Sequence, residues 1–165
     1  MRRNMHHTVS AIKQHGFSML EILITLVIIS TALLGTAGLQ IYALRMGQDG
    51  QFRTQAVFLA SDITERMEAN KFAAVAGDYV VASASTPSAS GSDCAANSCN
   101  ATALASWDIS QWENAIITAG LPQADWQIIQ TTAGNPSTYS IIINWADRSA
   151  AEVPFRYTAT RTISN

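Results

Sequence analysis

Beyond residue 15 the chain has no histidine; His6, His7 and His15 are its only three. That absence excludes histidine-dependent triads and histidine-ligated metal sites from residues 16–165. Lysine is almost as scarce, with Lys13 and Lys71 alone, and no paired-carboxylate motif stands out. Carboxylate-only or lysine chemistry is all that is left, so the chain is expected not to be an enzyme and to need no cofactor. Proline is missing from Met1 to Thr86, and cysteine occurs only at Cys94 and Cys99. No acid precedes residue 17, whereas Arg2, Arg3 and Lys13 do. Residues 17–165 then hold seven basic and twelve acidic side chains, a balance of −5. A nucleic-acid-binding module would show a basic stripe, so no nucleic-acid partner is expected.

What is present begins with a long apolar run. From Ile22 to Leu44 there are 23 residues without a formal charge. A helix of that length reaches roughly 35 Å at the usual rise per residue, more than the ~30 Å of a bilayer core. The basic residues before the run, against Arg45 alone just after it, favour a cytoplasmic N-terminus and an exported C-terminal part. A cleaved secretory signal fits poorly. The run starts only at Phe17, exceeds an ordinary apolar signal core, and no small-x-small site closes it. Glu21 is the anomaly, because a carboxylate at the head of such a segment is costly and needs a reason.

The stretch "GFSMLEILITLVIIS" at 16–30 resembles the prepilin leader junction of type IV pilins and related pseudopilins. The resemblance implies a leader over residues 1–16, cleavage after Gly16 by a prepilin peptidase, and a new N-terminus at Phe17 that is usually N-methylated. It also implies a role for Glu21: pairing with the free N-terminal amine of a neighbouring subunit as it docks into a filament. A residue without Cβ at Gly16 suits an extended backbone in a protease cleft. The fold implied is α+β, pilin-like, with a long N-terminal helix packed on a small antiparallel sheet of about three strands or more. The partners implied are the peptidase, other major and minor pilins through the helix, and the inner membrane before assembly.

Beyond Leu44 the helical pattern continues. Phe52, Ala56, Leu59, Ile63 and Met67 step by 4, 3, 4 and 4, one apolar stripe. Asp49–Arg53 and Asp62–Arg66 are acid-then-base pairs four apart, expected on an exposed face. One helix is therefore expected from about Phe17 to about Phe72, with Gly77 and Asp78 as terminators. The expected division is a leader (1–16), a membrane and filament-core helix (17–44), its amphipathic continuation (45–76) and a periplasmic domain (77–165). Gly35, Gly38, Gly47 and Gly50 lower helix stability by up to about 1 kcal/mol each. They predict either close helix packing or a segment that bends within a filament.

Residues 82–103 read as a Ser-, Ala- and Asn-rich loop holding both cysteines. In an exported domain Cys94 and Cys99 should form a disulfide. A metal is the rival, but two thiols without histidine argue against one. A short helix is expected from Ala103 to Ala119, with Leu104, Trp107, Trp112, Ile116 and Ile117 available to bury and Gly120 and Pro122 to end it. Strands are expected at 125–130, 138–146 and 155–163, the first two joined by a turn at "AGNPS". The four tryptophans could form an adhesive patch, though burial is their commoner fate.

"AVFLASDITERMEAN" (56–70) resembles the end of the N-terminal helix in the PilV family of type IV pilus modification proteins, through Arg66-Met67-Glu68-Ala69-Asn70. "LASWDISQWENAI", "LP" and "NWADR" are similar to its later part. The resemblance implies a minor pilin that helps to initiate or adjust pilus assembly, with adhesion or motility as downstream roles. The alternatives are a minor pseudopilin of a type II secretion system, or a single-pass anchored periplasmic binding module that enters no filament.

Overall fold

The computed structural model describes residues 16–89, 91–146 and 154–165. The expected leader thus lies outside the described residues up to its last position, as do Asp147 and Arg148 of "NWADR". The chain divides into two compact units, the first ending at Arg45 and the second running Met46–Asn165.

Helix α1 (Met19–Ala69) supplies nearly all that is described of the first unit and opens the second. Ser18 starts it. Its Oγ accepts from the Leu20 N–H at 3.3 Å, and its carbonyl accepts from Glu21 and Ile22, which satisfies donors that a helix start leaves unpaired. Every residue from 16 to 45 is exposed. The helix contains a window long and apolar enough to cross a membrane, with none of that window buried.

In the second unit, α1 turns one stripe inward: Ala56, Leu59, Ala60, Ile63 and Met67 are buried, with Phe52 packed beside them. This is the predicted face. The helix does not reach Phe72, however. Asn70 leaves the helical region (φ −116°, ψ 57°) and a six-residue helix α2 (Lys71–Ala76) follows. Neither glycine nor proline marks the break. Its cause is tertiary: buried Asn70 donates through Nδ2 to the Ala101 carbonyl at 2.7 Å and to Tyr79 Oη at 3.3 Å. Gly77 ends α2 at φ +94°, where an added Cβ would come within 3.0 Å of Gln130 Oε1.

The sheet is an antiparallel meander in the order β1 (Val81–Ala84), β2 (Asp125–Thr132), β3 (Ser137–Trp145), β4 (Phe155–Ile163). Three strands match their predicted spans closely. β1 corrects the loop expected from residue 82; its Val-Ala-Ser-Ala sequence has little strand propensity, and pairing with β2 at Val81–Ile128 and Ala84–Trp126 holds it. β3 is central, burying Ser137, Tyr139, Ile141, Ile143 and Trp145 on one face. The second-unit part of α1 packs on this sheet through the shared core.

Helix α3 (Ala101–Ala119) starts two residues earlier than expected, because Asn100 Oδ1 accepts from the Ala103 N–H at 2.8 Å. Gly120 closes it in the left-handed region (φ +70°). Of the residues expected to bury, Trp112 and Ile116 do; Leu104 and Trp107 are half-buried and Ile117 is exposed. Ala105 and Ile109 complete the apolar face instead. Trp112, Trp126 and Trp145 lie in the core, which leaves no four-tryptophan adhesive surface.

Candidate functional site

The residues singled out from the sequence fall in two places. Gly16, Phe17 and Glu21 belong to the first unit, Cys94 and Cys99 to the second. Gly16 and Phe17 precede α1 and are exposed, with no heavy atom within 4 Å of where a Gly16 Cβ would stand. Phe17 is 81% exposed.

Glu21 sits in the first turn of α1. Unpaired N–H groups give that end partial positive charge, which favours a carboxylate there. Along the helix from Glu21, Thr25, Ala32, Thr36 and Ala43 step by 4, 7, 4 and 7 and so share a face. Ile28 and Leu39 lie on the same face, so it mixes these small residues with two large apolar ones. Thr25 and Thr36 turn their hydroxyls back onto Ile22 and Leu33 carbonyls at 2.8 and 2.9 Å. Ser30 and Thr31 do the same to Leu26, Val27 and Ile28. Hydroxyls satisfied within the helix present no unmet donor to a lipid environment. The glycines at 35 and 38 are helical and uncovered, and small residues let neighbouring helix backbones approach in membranes.

Cys94 and Cys99 form a disulfide with Cα atoms 5.6 Å apart, beside the N-cap of α3.

A buried polar network went unread in the sequence. Asp108 on α3 accepts from Tyr79 Oη at 2.7 Å and pairs with Arg66 Nη1 at 3.2 Å. Arg66 also pairs with Asp62, so the four-apart acid–base pair is not merely an exposed ornament: it reaches across to α3. Asp49 and Arg53, the other such pair, form no ion pair among the described residues. Glu113, 1% exposed, accepts from the Ser88 N–H at 2.6 Å, from Ser88 Oγ and from Trp126 Nε1 at 2.9 Å. It fastens the loop after β1 to α3 and β2. The available signal was two acids, Asp108 and Glu113, adjoining the apolar spacing 105–109–112–116 of α3; acids there need buried partners.

Burial pushes the Tyr79 hydroxyl well above the ordinary phenol range, and its hydrogen bond to Asp108 adds to this. Burial also raises Tyr139, helped by the charge of Asp78. Burial by itself would lower Arg66, but its bonds and charge contacts with Asp62 and Asp108 outweigh that and raise it.

Residues 12–37 match the prokaryotic N-terminal methylation motif, and residues 38–110 match a family described as Type IV pilin Tt1218. No curated protein and no solved structure matches the chain. The two matches support the type IV pilin superfamily, a structural and not an enzymatic group. With the apolar helix, they suggest membrane anchoring and association with a pilus.

Proposed function

We propose that the chain is a minor pilin of the PilV-like kind, made with a leader over residues 1–16 and matured by a prepilin peptidase that cleaves after Gly16. The observation that carries the reading is the methylation-motif match over residues 12–37, which spans Gly16, Phe17 and Glu21 at the head of α1. Cleavage leaves the Phe17 amine as the new N-terminus, ready for N-methylation. Residues 17–44 first anchor the chain, N-terminus cytoplasmic and domain periplasmic, and then join the filament core. Helix association there replaces lipid contacts with protein contacts at little net hydrophobic gain, so packing and polar pairing decide register. Glu21 pairs with a neighbouring subunit's N-terminal amine, because a carboxylate left alone in an apolar bundle is costly.

The PilV-like assignment is supported by the resemblance of Arg66-Met67-Glu68-Ala69-Asn70 to the helix end of that family; separately, each of these residues has work in the fold. Arg66 ties α1 to Asp108, Met67 is core, Glu68 pairs with Lys71 and Arg161, Ala69 ends α1 and Asn70 makes the break.

The test is mass spectrometry of the membrane-extracted chain, with and without prepilin peptidase. A peptidase-dependent methylated Phe17 start is expected, and an intact Met1 start in a peptidase-competent cell would overturn the reading in favour of an anchored periplasmic module. Glu21→Ala should leave that maturation unchanged while lowering incorporation into sheared filaments at least about tenfold, the equivalent of ~1.4 kcal/mol. Presence of the chain in secretion-system rather than pilus fractions would mark a pseudopilin.

A further inference from the structure

The two edges of the sheet are unequal. β1 is four residues long and its register with β2 shifts between Val81 and Ala84. β4 pairs with β3 without a break from Trp145–Phe155 to Ser137–Ile163, and among the described residues no strand covers its other side. A long, regular, uncovered edge offers a row of backbone donors and acceptors to another strand. β4 contains neither proline nor glycine that would blunt it.

A groove runs between this edge and α1, lined by Ser61, Thr64, Glu65 and Glu68 on the helix and by Thr160 and Arg161 on the strand. The charges along it are unevenly answered. Glu68 is paired with Arg161 and Lys71, whereas Glu65 is exposed and has no ion pair among the described residues. Arg156, near the start of β4, is exposed, with Nε on Asn144 Oδ1 at 2.9 Å. Successive side chains of a strand point to opposite faces, so one incoming strand can address both charges from its two faces.

We propose that β4 is a docking edge that receives an extended segment of another exported subunit, with a basic side chain over Glu65 and an acidic one beside Arg156. The proposal rests on the pilin reading and names the contact through which the exported domain meets its neighbour. A second copy of this chain is a poor occupant: β4 holds no acid, and Val81–Ala84 holds no charge, so neither edge strand can answer Arg156. Like charges placed opposite one another in a sheet are unfavourable, which keeps the edge selective for a different chain.

The test uses the full-length chain expressed in its own cells with p-benzoylphenylalanine in place of exposed Thr158, the cross-linked peptides being mapped by mass spectrometry. The expected adduct joins the p-benzoylphenylalanine at position 158 to a strand-forming segment of another prepilin-peptidase-processed chain. It should fall about tenfold or more in Glu65→Lys and in Arg156→Glu, the size of one reversed contact of ~1.4 kcal/mol. The same preparation reports the mature N-terminus. A methylated Phe17 start without the adduct overturns the docking edge and leaves the pilin reading standing. An adduct of the expected kind on a chain that keeps residues 1–16 supports the edge and overturns the pilin reading. Adducts confined to lipid or to a second copy of the chain, or indifferent to both substitutions, overturn the edge.

Discussion

Asp108 shows how much can hang on one side chain. It is buried, holds Arg66 through Oδ1 and accepts from Tyr79 through Oδ2. Removing it takes one partner from a guanidinium and one from a phenol together. Loss of one member of a largely buried charge pair costs about 3–5 kcal/mol, so Asp108→Ala is expected to lose about 3 kcal/mol, Arg66 keeping Asp62 and some solvent. Tyr79→Phe removes the hydroxyl that donates to Asp108 and accepts from Asn70, at an otherwise unchanged volume, and is expected to cost about 1–2 kcal/mol. Denaturant unfolding of the detergent-solubilised chain, followed by tryptophan fluorescence, measures both. Equal losses for the two variants would mean that the Arg66 contact adds nothing. Beyond the Asp62–Arg66 spacing and the fact of an acid on an apolar helix face, none of this was legible in the sequence, because Tyr79 and Asp108 meet Arg66 only after α1 and α3 pack.

Among the elements, the loop between β1 and α3 is the one whose order is imposed from outside. Its composition, rich in Ser and Ala, gives it no core of its own. Among its described residues it is held by the Cys94–Cys99 bond, by a turn in which Asp93 accepts from Ala95 and Asn97, and by the capture of Ser88 by Glu113. Glu113→Ala removes the last and leaves Trp126 Nε1 without its acceptor. A stability loss of about 2–3 kcal/mol is expected, with amide exchange at Ser88 rising while that of β3 changes only with global stability. Glu113→Gln, which keeps an acceptor for Trp126, should recover part of the loss. Unchanged exchange at Ser88 in Glu113→Ala would show that Glu113 does not order the loop. The same dependence on surroundings explains β1, which pairing with β2 makes a strand, and the Asn70 break, which a carbonyl on α3 stabilises. By contrast, β3 and β4 carry their period in the sequence, and α1 carries its buried stripe.

For the whole molecule, the two raised phenols predict how stability responds to alkali. Tyr79 and Tyr139 hold their protons more tightly folded than unfolded. Below the ordinary phenol value of about 10 both states are protonated and the stability is intact. Above it the unfolded chain ionises first, so stability falls as pH rises. The denaturation midpoint of the detergent-solubilised chain is expected to drop between pH 10 and 11, and Tyr79→Phe to flatten that drop. A midpoint level across this range in the parent chain would place both hydroxyls in water.

The sequence by itself determined the charge-free apolar run, the Gly16-Phe17 pair with Glu21 behind it and the secondary-structure frame, because these depend on local quantities. A charge-free run of membrane length, a Gly-Phe pair with a carboxylate four residues on, and alternation at periods of 3.6 and 2 act within a few turns of chain. The two cysteines, five residues apart, needed no long-range information either. Tertiary structure alone decided which acids are buried and what they hold, where α1 stops, that Val81–Ala84 is a strand, and that β4 is the long open edge. Each of those turns on residues dozens of positions apart. Arg66 meets Asp108 42 residues on and Asn70 meets Ala101 31 residues on; Trp112 reaches back 53 residues to the Leu59 carbonyl at 2.8 Å. No periodicity within either partner's own helix or strand contains such a meeting, since it exists only once the two elements have packed.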